Sequence, residues 1–170
     1  MLKLILISLS LLLLSGCSTA AKKVAPLKVK KIKHTRFQTV PKKKAVLLQK
    51  GKEKGYCHVC GMKLVKFYKT NHAANENGVE HQYCSLRCLT KDIHDGAQLE
   101  NPQVVDVHSL QFIPVLEAYY VVGSNKPATM SRVSKYAFKS LNDAKIFQAK
   151  YGGKIVDFYS AWQIAKKDFK

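Results

Sequence analysis

The sequence predicts an α+β domain made of two duplicated ββαβ units, with a small, largely antiparallel sheet and a closing C-terminal helix. Three observations carry this reading. First, "QYCSLRCLTKDIHDGAQLENPQVVDVHS" (Gln82 to Ser109) and "KYAFKSLNDAKIFQAKYGGKIVDFYS" (Lys135 to Ser160) have the same plan: a tyrosine closing a strand, a helical stretch, a turn-rich break and a β-branched strand ending in Val-Asp. Second, Tyr83 and Asp106 lie 23 positions apart while Tyr136 and Asp157 lie 21 apart, so the two segments keep nearly one register, the mark of a repeated unit. Third, strand-like sequence precedes each segment, and runs of strands and helices mixed in this way suit an α+β layer architecture.

Taken in order, the first half (about 55–109) opens with "KLVKFYKT" (Lys63 to Thr70), predicted as a strand, followed by "VEHQY". The second half (about 110–160) opens with "EAYYVVG" (Glu117 to Gly123), followed by "SKYAF". In "LNDAKIFQAKYGG", Asn142 is the expected N-cap, Ala144, Phe147 and Tyr151 fall at helical spacing, and Gly152 and Gly153 stop the helix. "SAWQIAKK" (Ser160 to Lys167) supplies the closing helix.

Ahead of this domain, "MLKLILISLSLLLLSGCSTA" has one early lysine, an apolar run from Leu4 to Leu14 and small residues ending at Cys17. The run is short for a membrane span and has the layout of a secretory signal, so residues 1–16 read as a lipoprotein signal peptide. The quartet Leu14, Ser15, Gly16 and Cys17 resembles a bacterial lipobox, which makes Cys17 the expected lipidation site. Several acyl chains on one residue anchor firmly, at roughly 0.8 kcal/mol per buried methylene. The expected location is therefore a cell membrane facing the periplasm, inner or outer membrane left open.

Residues 17–54 read as a lipidated polybasic tether. From Lys22 to Lys54 there are thirteen basic residues against one acid, Glu53, whereas from Gly55 onward there are fifteen basic and ten acidic, so most of the net charge of +18 belongs to the tether. A charge run of this kind is most simply a solvated spacer. In an exported lipoprotein the phosphate it meets is lipid headgroup, so no nucleic-acid partner is expected. Residues 55–170 are enough for one compact domain.

Apart from Cys17, the chain has four cysteines: Cys57 and Cys60 in "CHVC", and Cys84 and Cys88 in "YCSLRC". A hairpin between the pairs could return the second to the first and bring four thiolates together. Structural disulfides suit an exported protein. A redox pair needs a helix N-terminus after the first Cys-x-x-Cys, where "MKLVKFY" reads as strand. A zinc site of Cys57, Cys60, Cys84 and Cys88 has acceptable spacing and would compensate for a small core.

Met62, directly behind the knuckle, adds a thioether that suits Cu(I), since soft sulfur selects the monovalent ion; its alternative role is core packing. Met130 lies in a polar loop, "GSNKPATMSR", and could close on the same ion. Of the histidines, His58, His72 and His81 lie near the cysteines but need not be ligands, and His34, His94 and His108 look incidental. Asp106 and Asp157 occupy equivalent positions and read as structural residues at strand ends rather than an acid-base pair. No catalytic residue is expected.

At these residues the chain resembles the NosL family of accessory lipoproteins for nitrous-oxide reductase maturation. The resemblance rests on the lipobox, "CHVCGM" (Cys57 to Met62), "QVVDVHS", "AYYVVGSNKPATM" ending at Met130, and "AF" followed by "A" and "GG". It implies a duplicated ββαβ fold and a Cu(I) carrier whose partners are nitrous-oxide reductase and its ABC-transporter maturation complex, with delivery to the copper-sulfur centre. Carried over by position, Cys60, Met62 and Met130 are the implied copper ligands, with Cys57 a further candidate. "HQYCSLRC" departs from that pattern and resembles the second half of YHS and TRASH heavy-metal domains. An alternative function is therefore a zinc-stabilised heavy-metal-binding or sensor module acting through a protein contact.

Overall fold

The computed structural model describes residues 36–169. The signal peptide, Cys17, His34 and the first part of the basic run (22–35) lie outside them. Two antiparallel sheets organise the chain. The first has the order β2-β1-β3-β4 and the second β6-β5-β7, with strands β1 (His72–Glu76), β2 (Val79–Tyr83), β3 (Glu100–Val105), β4 (Phe112–Pro114), β5 (Tyr119–Val122), β6 (Lys135–Phe138) and β7 (Lys154–Val156). Helix α1 (Leu86–His94) follows β2, α2 (Leu141–Tyr151) follows β6, and α3 (Phe158–Lys166) closes the domain.

The duplication is visible in the pairing. In each half the first strand is central and is flanked by the second strand and by the strand after the helix: β1 lies between β2 and β3, and β5 between β6 and β7. The repeat-equivalent aspartates leave β3 and β7. Asp106 accepts from the N–H groups of Ser109 (2.8 Å) and Lys139 (3.2 Å), and Asp157 caps α3 by accepting from Ser160 N–H at 2.8 Å. Both are therefore engaged with backbone donors at the start of the following segment. An isolated bridge, Asp106 to Ala137, joins the two sheets.

Alternation along β5 decides how the layers stack. Tyr120 and Val122 face the large cluster that contains Phe158 and Ala161 of α3, while Val121 faces the opposite cluster, with Ala144 and Phe147 of α2. Successive strand side chains point to opposite faces, so β5 is covered on both sides. Gly153, after α2, has φ +95, and a Cβ there would meet the Val122 carbonyl oxygen at 2.7 Å. Only glycine lets the chain turn back against β5 so closely.

Three details differ from the sequence reading. Lys63 to Thr70 is not a strand: Leu64–Thr70 forms a kinked run of 3-10 turns that buries Leu64, Phe67, Tyr68 and Thr70. The buried positions are three and four apart, which is a helical spacing, and the first strand of the half is instead "HAANE", joined to β2 by Asn77-Gly78 at positive φ. The N-cap of α2 is Ser140 rather than Asn142; its hydroxyl accepts from the N–H groups of Asn142 and Asp143.

The third difference concerns where the domain begins. Arg36 to Lys54 falls in the stretch read as tether, yet much of it lies on the domain. Gln38 is fully buried and donates to the Pro127 carbonyl (2.8 Å), and Val40 is buried with Tyr68 and Val105. Phe37 packs on Tyr136, Phe147 and Tyr151. Leu48 N–H donates to Gln82 Oε1 at 3.0 Å, and Gln82 N–H donates to Gln49 Oε1 at 2.9 Å. The few apolar and amide side chains between the lysines are what dock.

Candidate metal centre

The knuckle Cys57–Cys60 is closed by its own backbone. Cys57 N–H donates to the Met62 carbonyl (2.8 Å), Gly61 N–H to the Cys57 carbonyl (2.9 Å) and Leu64 N–H to the Gly55 carbonyl (2.9 Å), with Tyr56 and Lys63 bridged. Gly61 turns the chain at φ +68, a conformation that costs a side-chain-bearing residue roughly 1–2 kcal/mol. His58 N–H then donates to the Gln82 carbonyl (3.0 Å), which fixes the knuckle to the end of β2.

The second pair arrives from β2. Cys84 directly follows the strand, Ser85 caps α1 with its hydroxyl accepting from Cys88 N–H (3.4 Å), and Cys88 sits in the first helical turn. The capping turn rather than a shared helix face brings Cys84 toward Cys88. Thr70 Oγ1 donates to the Cys84 carbonyl (2.8 Å) from the turn ahead of β1.

The four sulfurs lie within 4.8 Å of one another, with Cys60 Sγ 3.5 Å from Cys84 Sγ and Cys84 Sγ 3.6 Å from Cys88 Sγ. All four thiols are free. Sulfurs at about 2.3 Å from a tetrahedral ion stand roughly 3.8 Å apart, so the donor set matches a thiophilic ion in both identity and spacing. Cys57, Cys84 and Cys88 are buried and Cys60 is partly exposed, leaving one edge open to solvent.

The packed thiols hold their protons with unequal strength. Hydrogen bonds from Cys84 and then Cys88 hold the Cys57 thiol well below the ordinary range, against the opposing effect of burial. Cys84 is pushed up, first by its bond to Cys57, and Cys88 is likewise raised, first by its bond to Cys57. Closely packed thiols share negative charge poorly, and a bound cation removes that restriction.

The methionines take different places. Met62 is half-buried and packs against the same core cluster as Cys60 and Val59. Met130 is 40 % exposed at φ +51 and lines a cavity of about 350 Å³ with Arg87, Ser131 and Asp168. Its loop is tied toward the thiols through Thr129, whose hydroxyl stands 2.8 Å from Thr70 Oγ1. The thiols converge in one cluster; Met62 packs on the large hydrophobic core that also contains Cys57, Cys84 and Cys88, and Met130 lines a cavity without cysteines.

His58 is exposed and its ring meets that of His81 at a tilt of 40°, with centroids 3.8 Å apart. Its Nε2 is 3.9 Å from Asp92, and His81 Nε2 is 3.5 Å from Glu76. Asp92 also accepts from the Tyr83 hydroxyl at 2.6 Å. His72 is structural: buried, with Nδ1 3.1 Å from the Thr70 carbonyl and Nε2 3.2 Å from the Tyr120 hydroxyl. A carbonyl can only accept, so Nδ1 carries the proton and Nε2 accepts from Tyr120. Burial holds its pKa down to about 3.

Gln82 was not singled out by the sequence. Fully buried, it accepts from Leu48 N–H, donates from Nε2 to Asn71 Oδ1 (3.0 Å), and offers its carbonyl to the knuckle. Its position two residues before Cys84, at the buried end of β2, was the available signal.

A duplicated antiparallel ββαβ domain holding four convergent thiols defines a thiol-based metal-binding module. The chain belongs to the NosL family, whose model matches residues 49–163. Among solved structures, the copper chaperone NosL from Shewanella denitrificans is similar, with TM-score 0.53 and 23 % identity over 66 % of this chain and 94 % of that one. At that identity the likeness speaks for the fold. No curated protein matches the chain.

Proposed function

We propose that this protein is a non-catalytic Cu(I) chaperone that delivers copper for assembly of the copper-sulfur centre of nitrous-oxide reductase, working beside an ABC-transporter maturation complex and held at the membrane through a lipidated Cys17. Family membership and the copper chaperone from Shewanella denitrificans support the copper reading. The observation that carries it is the convergence of Cys57, Cys60, Cys84 and Cys88 within 4.8 Å. Soft sulfur donors retain Cu(I).

The mechanism is ligand exchange. Cys60 is the partly exposed thiol and is placed to meet an entering ligand first, while Met62 behind it supplies a thioether and Met130 a second one from the neighbouring loop. An acceptor thiol or imidazole adds to the ion as one sulfur of this chain leaves, so no acid-base pair is needed. Asp106 and Asp157 are engaged in capping and turn bonds, in keeping with that scheme.

A second reading is favoured by one observation: four protein sulfurs, three of them buried, suffice for a tetrahedral set, which suits structural Zn(II). In that case zinc would secure the knuckle to α1, and cargo would engage Met62, Met130 and the open Cys60 edge. The two readings separate when copper and zinc are counted in one sample of Met62→Leu/Met130→Leu. Loss of Cu(I) affinity with zinc retained supports two functions at one centre, and unchanged Cu(I) affinity removes the thioethers from the carrier site.

A further inference from the structure

Beside the knuckle, and separate from its thiols, lies a cleft of about 470 Å³. Its rim carries Lys42, Lys52, Lys54, Lys63 and Lys66. All five are exposed, none is in an ion pair among the described residues, and no acidic side chain lines the cleft. Its apolar lining comes from Leu47, Tyr56 and Val65, with Tyr56 37 % exposed. Five like charges around an apolar centre repel one another and gain from an anionic counterpart.

We propose that this cleft docks the domain onto an anionic lipid surface. Lysine stems lie along apolar surface while their ammonium groups reach outward, and tyrosine suits the headgroup level. Each lysine near an anionic leaflet adds attraction within a Debye length. The charge also continues along the sequence: Lys22 to Lys54 carries thirteen basic residues to one acidic, and Lys42, Lys52 and Lys54 of that run stand on the rim. An extended anionic surface complements a run of that length and the rim together. Tyr56 and Lys63, bridged to one another, border both the cleft and the knuckle, so docking would place the metal centre next to the membrane. The inference is independent of which metal the thiols carry.

The test is amine acetylation read by mass spectrometry on the full chain reconstituted into vesicles, either all phosphatidylcholine or containing phosphatidylglycerol. On the anionic vesicles at low salt, labelling of the five rim lysines is expected to fall at least about threefold relative to Lys145 and Lys150, and to recover at about 0.5 M salt. In Lys52→Glu/Lys63→Glu/Lys66→Glu, protection of Lys42 and Lys54 should disappear. Equal labelling on both vesicles, or equal protection of Lys145 and Lys150, overturns the proposal. Protection by a glutamate-rich peptide on phosphatidylcholine vesicles, with none from anionic lipid, assigns the cleft to an acidic protein segment and also overturns it.

Discussion

Cys60 Sγ lies 3.5 Å from Cys84 Sγ across 24 residues of sequence. The contact joins the knuckle to the cap of α1, so every sulfur is held by an element with its own reasons to be there: a closed turn for Cys57 and Cys60, a strand end for Cys84, a helix start for Cys88.

If those elements are clasped by metal, removing it should loosen them together. Cys84→Ser and Cys88→Ser should each lower the thermal midpoint of the metal-loaded chain by about 10 °C or more, since roughly 2–4 °C accompanies each kcal/mol in a chain of this size. Chelator treatment of the wild type should reproduce the shift. An unchanged midpoint in the serine variants would dissociate the cluster from stability.

Gln82 should matter although it touches no sulfur. Gln82→Ala leaves Leu48 N–H and Asn71 without their partner and is expected to cost about 2–3 kcal/mol in urea unfolding. Gln82→Glu, which turns a buried carboxylate oxygen toward Asn71 Oδ1 and the Val46 carbonyl, should cost at least as much.

His72 links stability to pH. Its pKa is about 3 when folded and near 6.5 when unfolded, so between those values the unfolded chain binds the extra proton. Stability from this residue is complete above about pH 6.5 and is lost as pH falls, by up to roughly 1.4 kcal/mol per unit and about 2 kcal/mol by pH 5. Denaturant unfolding at pH 7 and pH 5 should show this loss in the wild type and a smaller one in His72→Gln. Equal losses would mean that His72 titrates normally in the fold.

Met62→Leu separates packing from ligation. Leucine nearly conserves volume, so stability should change by less than about 1.5 kcal/mol, while Cu(I) affinity should fall at least about tenfold if the thioether binds. Matching falls in both would return Met62 to the core.

Much of this site was legible in the sequence for a physical reason. The Cys-x-x-Cys knuckle and the pair flanking a helix cap are local patterns, and a hairpin between them is the simplest way to bring them together. The repeat was readable through Asp106 and Asp157, which directly follow β3 and β7, whereas Tyr136 lies inside β6 and Phe138 is the strand end equivalent to Tyr83. Leu64 to Thr70 was misread because β-branched and aromatic residues favour strands, whereas burial of Leu64, Phe67 and Tyr68 follows helical spacing. The docking of Arg36 to Gln49 was hidden by its lysines: Gln38 and Val40 find partners only in loops and strands far along the chain. That packing also means a domain cut at Lys50 would remove buried residues.

The central claim is that this chain is a Cu(I) carrier built on four thiols, and anaerobic competition of the reduced full chain with a chromophoric Cu(I) chelator tests it most directly, with zinc counted in the same sample. The account predicts that one Cu(I) is held against the chelator and that it is released on Cys60→Ser. Zinc bound in four thiolates with no competitive copper binding would contradict it and leave the cluster as a structural clasp.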